Sequence, residues 1–342
     1  NLNWLYIDQE GVLWEIGKKG KVFRYDQIHD CFNLVYKLPM ESFSEQPDPI
    51  TYAWLDENKH IWLCNKDTIF LYNTETQLVT HIKNDISEEI TDIEQIDESH
   101  FFIGTEMGIH YAKLENNALE LINCDKLESL KAQIIDLYFD KKIRKLFIGT
   151  FLRGIMIYDM NTKSVIRPEQ NLKDISITRF RPLNDKELLI ATDGGGVHKI
   201  DVDTYQITPE IVADYNSNNG MNGNSINDIF VDDEERVWLA NYPIGITIQN
   251  NRYTGYKWIK HSYSGAYQID KKTFSVSYFM PPLYTHSNKR PDKYIRDIRT
   301  DMQGYIWSGG FYNLKRINLK TQDVRFYDGL NSITAIVEKD EK

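Results

Sequence analysis

The sequence predicts an all-β protein, a seven-bladed β-propeller of four-stranded antiparallel blades. Three observations lead there. A phrase recurs about every 45 residues, clearest in Tyr294–Leu319 (YIRDIRTDMQGYIWSGGFYNLKRINL), Ser225–Asn250 and Asn3–Asp26. Each copy runs from an alternating strand through an Asp-led turn to a strand with a large apolar residue, then a short loop and a third strand. Seven such apolar anchors stand at Trp14, Trp62, Phe102, Phe147, Leu189, Trp238 and Trp307, separated by 48, 40, 45, 42, 49 and 69 residues. A period of that length built from short strands belongs to a radial repeat, with one blade per anchor.

The elements of a blade follow in order. The first strand alternates, as in INDIFVD (Ile226–Asp232) and IIDLYFD (Ile134–Asp140), which sets one face against a neighbouring blade. An Asp then opens a turn, as in Asp8-Gln9-Glu10-Gly11, Asp56-Glu57-Asn58-Lys59 and Asp301-Met302-Gln303-Gly304. Asp in first position accepts from the backbone two residues on, and Gly supplies positive φ at the close. A calcium loop would need a ligand ladder of about twelve residues, and none follows. The second strand carries the anchor and often ends Gly-Thr or Ala-Thr (FFIGT, LFIGT, LLIAT), where a small residue permits close approach. The third strand ends in Tyr-Asp or a similar pair (VFRYD, IFLYN, IMIYD, VHKID), and a turn leads to the fourth. No segment has sustained helical periodicity with caps.

Residues 1–342 thus read as one propeller, with one break in rhythm. Gly265–Phe279 (GAYQIDKKTFSVSYF) reads as the third and fourth strands of a blade whose first two are absent. Either blade material is missing around His261–Ser264 or the blade is irregular, and residues 264–342 could belong to a second propeller. Ser332–Lys342 reads as the first strand of a further blade, as in a window cut from a longer array.

Composition narrows the function. The chain is 41% apolar and 13% aromatic, enough for a large core, and its 21 Tyr and 7 Trp suit strands. A net charge of −10 argues against wrapping nucleic acid or docking on anionic lipid. No stretch approaches the roughly 20 apolar residues of a membrane span. The N-terminus begins inside a strand pattern, so any signal peptide or anchor is expected outside this sequence. Cys31, Cys64 and Cys124 have neither metal-ligand nor redox spacing and do not fix the compartment.

The recurring phrase resembles the two-component regulator propeller repeat, roughly I-x-x-I-x-x-D-x-x-G-x-I-W-I-G-T-x-x-x-G-L. The Trp307 and Trp238 copies match well. Ile90–Lys113 (ITDIEQIDESHFFIGTEMGIHYAK) matches with Phe for Trp and no turn Gly, and the Leu189 copy is looser. The resemblance implies the periplasmic sensor region of a hybrid two-component receptor in the inner membrane. Its signal would be an oligosaccharide from polysaccharide breakdown. An adjacent propeller or immunoglobulin-like domain and a homodimeric receptor are the implied partners, with the histidine kinase lying outside this chain.

In a propeller the loops between second and third strands share one face with the connections between blades. Those loops hold Lys18 and Lys19, Lys66 and Asp67, Glu106 and Met107, Phe151 to Arg153, Asp193 to Gly196, Asn241 and Tyr242, and Phe311 to Asn313. Aromatic rings stack on the apolar face of a sugar, and Asn, Asp and Arg take its hydroxyls. The candidate ligand-binding residues are Phe151, Arg153, Asp193, Asn241, Tyr242, Phe311, Tyr312 and Asn313. Asp193–Val197 (DGGGV) is expected to be a Gly turn rather than a phosphate loop, because a strand and not a helix follows. Asn216–Asp228 is a polar connection on the same face, a solvated linker or a lip over the ligand.

No catalytic residue, metal ligand or cofactor is expected. The eight His show no paired spacing, and there is no G-x-S-x-G elbow. Two alternatives stand beside the sensor. One is a scaffold or dimerisation propeller without ligand; the other is a glycan-active enzyme such as a lyase, since propellers host many functions.

Overall fold

A computed structural model describes residues 3–38, 49–170, 172–213, 221, 223–232 and 236–242. Beyond these it describes strands at 246–250, 266–269, 276–279 and 295–300, and residues 301, 303, 305–310, 314–318, 321, 323–327, 330 and 333–338. The chain divides into two compact units, Trp4–Ile177 and Thr178–Glu338 in the main.

The first unit holds four antiparallel sheets. They are β1 (Asn3–Ile7), β2 (Leu13–Gly17), β3 (Lys21–Asp26) and β4 (Cys31–Lys37); then β5 (Tyr52–Leu55), β6 (His60–Cys64), β7 (Thr68–Asn73) and β8 (Val79–Lys83). Next come β9 (Ile90–Gln95), β10 (His100–Thr105), β11 (Ile109–Glu115) and β12 (Ala118–Ile122). A four-residue helix, α1 (Asp125–Glu128), leads to β13 (Ile134–Asp140), β14 (Lys145–Thr150), β15 (Ile155–Asp159) and β16 (Ser164–Ile166). Each sheet is a meander, so each chain segment pairs with the one before it.

The second strands are buried along nearly their whole length because both faces are covered. Successive side chains point to opposite faces. Phe101 therefore meets Trp62 of the preceding sheet (ring centroids 4.9 Å apart), while Phe102 meets Phe139 of the following one (6.0 Å). Two inter-blade cores result, one around Trp62, Ile93 and Phe101, the other around Phe102, Ile134, Leu137 and Ile148.

The second unit contains β17 (Ser176–Pro182), β18 (Glu187–Asp193), β19 (Val197–Asp201), β20 (Ile207–Ile211), β21 (Ser225–Val231), β22 (Arg236–Tyr242) and β23 (Ile246–Asn250). It also contains the hairpin β24 (Ala266–Ile269) and β25 (Val276–Phe279). The last strands are β26 (Ile295–Thr300), β27 (Tyr305–Gly310), β28 (Leu314–Asn318) and β29 (Val324–Tyr327), which form one meander, and β30 (Ile333–Glu338).

The propeller of four-stranded antiparallel blades is as expected, but the blade count is not. Among the described residues there are six sheets of four or more strands, not seven. The units anchored by Leu189 and Trp238 share one seven-stranded sheet, because β18 pairs β21 at Asp193↔Ser225. The Trp238 unit brings three strands, β21 to β23, and joins its neighbour through that bridge. An anchor marks a repeat, and a repeat is a separate blade only where its sheet edge stays unpaired.

The Asp turn forms as expected. Asp8 Oδ1 accepts from the backbone N–H of Glu10 and Val12, both at 2.9 Å, and Gly11 has φ +75°. In the copy without Gly, Lys59 adopts the same left-handed backbone at φ +64°. The second carboxylate oxygen takes the anchor indole in all four Trp copies: Trp14 on Asp8, Trp62 on Asp56, Trp238 on Asp232 and Trp307 on Asp301, at 2.7–2.8 Å.

Candidate functional site

Three of the loops between second and third strands are held by one device. Each Thr of the Gly-Thr or Ala-Thr strand end is fully buried, and its hydroxyl bonds the carbonyl of the Gly before the third strand. The distances are 3.1 Å for Thr105 to Gly108, 2.7 Å for Thr150 to Gly154 and 2.7 Å for Thr192 to Gly196. Thr105 Oγ also accepts from Met107 and Gly108 N–H, and Thr192 Oγ from Gly195 N–H. A loop tied at its root presents its tip in one conformation.

In the first unit that tip is Phe151-Leu152-Arg153. Phe151 is 48% exposed and Leu152 45%, and Leu152 sits at φ +55°, a costly backbone for a branched aliphatic residue. The Phe151 N–H donates to Gln133 O at 3.0 Å and Arg153 Nη1 donates to Lys131 O at 2.6 Å. The loop is thereby stitched to the connection that carries α1.

That connection walls a cleft of about 340 Å³. Its floor includes Ile109 and Leu127, both 1% exposed, and Met107 and Leu121 stand exposed beside it. Its polar residues are Glu88, His110, Tyr111, Asn123 and Lys131. His110 Nε2 lies 3.6 Å from Glu88 Oε2. Cys124 also lines the cleft, with its thiol 3.3 Å from the Tyr158 hydroxyl; desolvation first, then that contact, push the Tyr158 pKa up. The cleft lies where the β10–β11 loop meets the connection between successive blades, the face on which the sequence places its candidate loops.

In the second unit three strands bring candidates into one row. Asp193 of β18 pairs Ser225 of β21, which pairs Tyr242 of β22. Tyr242 is 52% exposed and Asp193 is exposed, while Asn241 is 1% exposed and stands opposite Ile226. Gly194 and Gly196 N–H both donate to Asn224 O, at 3.0 and 2.7 Å. Their φ values are +97° and +79°, and a Cβ on Gly196 would lie 2.5 Å from Ile211 O. The segment is a Gly turn into strand β19, as expected. His198 Nε2 bonds Gly195 O at 3.0 Å, and burial holds this imidazole's pKa down. Phe311, Tyr312 and Asn313 lie outside the described residues, as does most of the polar connection before Ser225.

The candidates therefore form two described groups, Phe151 with Arg153 and Asp193 with Tyr242. Sequence reasoning did not find the cleft, the Thr clamps, Glu88, His110 or Lys131. Leu127 and Leu130, three residues apart in the connection and both buried, are the one local signal of α1. Among the described residues no group of His, Cys, Asp and Glu could hold a metal ion, and no helix is long and apolar enough to cross a membrane.

No protein-family model and no curated protein matches the chain. Solved structures do. One is the extracellular domain of BT4673 from B. thetaiotaomicron, described as part of a one component or a hybrid two component system. It is 17% identical, with TM-scores of 0.55 and 0.56 in two structures. The match covers 95% of this chain and 46% of that one, so this chain spans about half the length of that domain. Another is the Cps50 (Swd1) β-propeller domain from Myceliophteria thermophila, 14% identical, TM-score 0.60, covering 95% of this chain and 96% of that one. At such identities the likeness establishes the propeller fold.

Proposed function

We propose that this chain is the periplasmic sensing region of a hybrid two-component receptor and binds a glycan-derived oligosaccharide on its loop face. The observation that carries the reading is the Phe151–Arg153 loop, an exposed aromatic and a cation on a tied loop beside a cleft. A ring to stack on and donors for hydroxyls are what a sugar needs. The repeat phrase and the fold shared with the BT4673 extracellular domain over 95% of this chain support the same reading. An adjacent propeller or immunoglobulin-like domain and a second receptor copy would complete the assembly. Signalling requires the ligand to bind one packing of those parts more tightly than the other.

The test is thermal unfolding of the chain against plant, host and microbial oligosaccharides, with product analysis of each mixture. A ligand at 100 times its Kd adds about 2.7 kcal/mol of stability. The expected result is a shift for one glycan class without products. Products would convert the reading to an enzyme, and no shift anywhere would leave a scaffold.

A further inference from the structure

We propose that the cleft beside α1 selects a carboxylate-bearing sugar, a uronic acid residue, over its neutral counterpart. The proposal rests on the sensing reading and assigns it a location and a charge preference. One cation lines this cleft, Lys131, and a second, Arg153, does not line it but is tied to the Lys131 backbone by its 2.6 Å bond to Lys131 O. Neither has a carboxylate partner among the described residues, which they share with other exposed lysines such as Lys66 and Lys126; what sets Lys131 apart is its place in the cleft wall. Arg153 commits one donor to the Lys131 carbonyl, and the rest of its planar fork suits a carboxylate.

The one acidic side chain in the wall, Glu88, already faces His110 at 3.6 Å. Glu89 and Glu106 lie nearby in sequence but do not line the cleft. The chain's net charge of −10 opposes an anion at long range. At physiological salt that field fades over about 8 Å, while a contact pair is screened far less. A volume of about 340 Å³ is at the small end for ligand pockets, which suits a terminal ring rather than an extended chain. The exposed Met107 and Leu121 of the cleft offer apolar surface to that ring.

Cys124 gives a local readout. Cys64 is fully buried, so a Cys31→Ser chain leaves Cys124 as the accessible thiol, and it lines the cleft. Its alkylation rate is measured with α-1,4-digalacturonic acid and with the matching neutral galactobiose, alongside thermal unfolding. The expected result is saturable slowing by the acid at about tenfold lower concentration than by the neutral sugar, the difference a charge-assisted hydrogen bond makes. Lys131→Gln and Arg153→Gln should erase the preference while the fold melts as before. Equal protection by both sugars overturns the charge preference. No protection by either, while other glycans raise the melting temperature, overturns the location and leaves the sensing reading standing. No shift with any glycan removes both.

Discussion

The hydroxyl of Thr150 donates to the carbonyl oxygen of Gly154 at 2.7 Å, closing the loop that presents Phe151 and Arg153. The same carbonyl also receives the Thr150 backbone N–H at 3.3 Å. Thr150→Val keeps the shape and deletes one bond, while the carbonyl keeps its second donor. The expected cost is about 1 kcal/mol in denaturant unfolding. The functional effect should exceed the stability effect, with faster ligand release, because the loop root is loosened while the tip is unchanged. Thr150→Ser should restore both. Equal behaviour of Val and wild type would mean that the loop is held by its bonds to Gln133 and Lys131 instead.

Asp56 serves both its turn and the core. It accepts from Asn58 N–H and His60 N–H at 2.9 and 2.7 Å and from the fully buried Trp62 indole at 2.8 Å. Asp56→Ala strands a buried indole donor and opens the turn, at an expected cost of about 3 kcal/mol. Asp140 is an internal control. It holds its turn through Lys142 and Ile143 N–H, but its blade has Phe147 in place of Trp. Asp140→Ala should cost only about 1 kcal/mol. Equal costs from chemical denaturation would refute the indole clamp as the reason for the Asp–Trp pairing.

That clamp explains how far the sequence could be read. Asp and Trp six residues apart recur because one carboxylate serves both turn and core, so the repeat and its strands stand out. The blade count failed at Asp193 and Ser225, where a single bridge between repeats merges two sheets. Anchor spacing carries no information about sheet edges. The Phe151–Arg153 loop was legible, since a short exposed aromatic loop between strands is a local pattern, whereas Asp193, Asn241 and Tyr242, expected in loops, end strands β18 and β22. The cleft was not. Its walls come from β11, the end of β12 and a four-residue helix, whose few residues leave no period to detect.

Gly104 tests the close approach between blades. A Cβ there would lie 2.6 Å from Ile134 Cγ2 on the next blade's first strand. Gly104→Ala should destabilise by about 1–3 kcal/mol through overpacking. Ile134→Ala removes the opposing methyl and opens a cavity, at about 2–5 kcal/mol. The double variant should be more stable than the sum of the two by about 1 kcal/mol or more, because the added methyl partly fills the space vacated. Strict additivity in urea unfolding would show that the strands separate rather than clash.

Glu94 should make the protein less stable as pH rises. The residue is half-exposed as a whole, but its carboxyl is enclosed and bonds Phe139 N–H at 2.8 Å. Burial pushes its pKa up to about 8, and Asp92 and Asp136 add to the shift. The folded state thus keeps its proton up to about pH 8, while the unfolded chain releases it near 4.5. Between those values the folded state binds more protons, so the stabilisation is full below pH 4.5 and lost as pH climbs to about 8. The slope contributed by one group is at most about 1.4 kcal/mol per pH unit. Glu15, also held up to about 8 by burial, acts in the same direction. Glu94→Gln keeps an acceptor for Phe139 without a titrating proton. Its stability should fall less between pH 5 and pH 8 than that of the wild type, leaving the Glu15 part. Superimposable profiles for the two proteins would show that Glu94 ionises freely between β9 and β13, with water admitted at the seam between those blades.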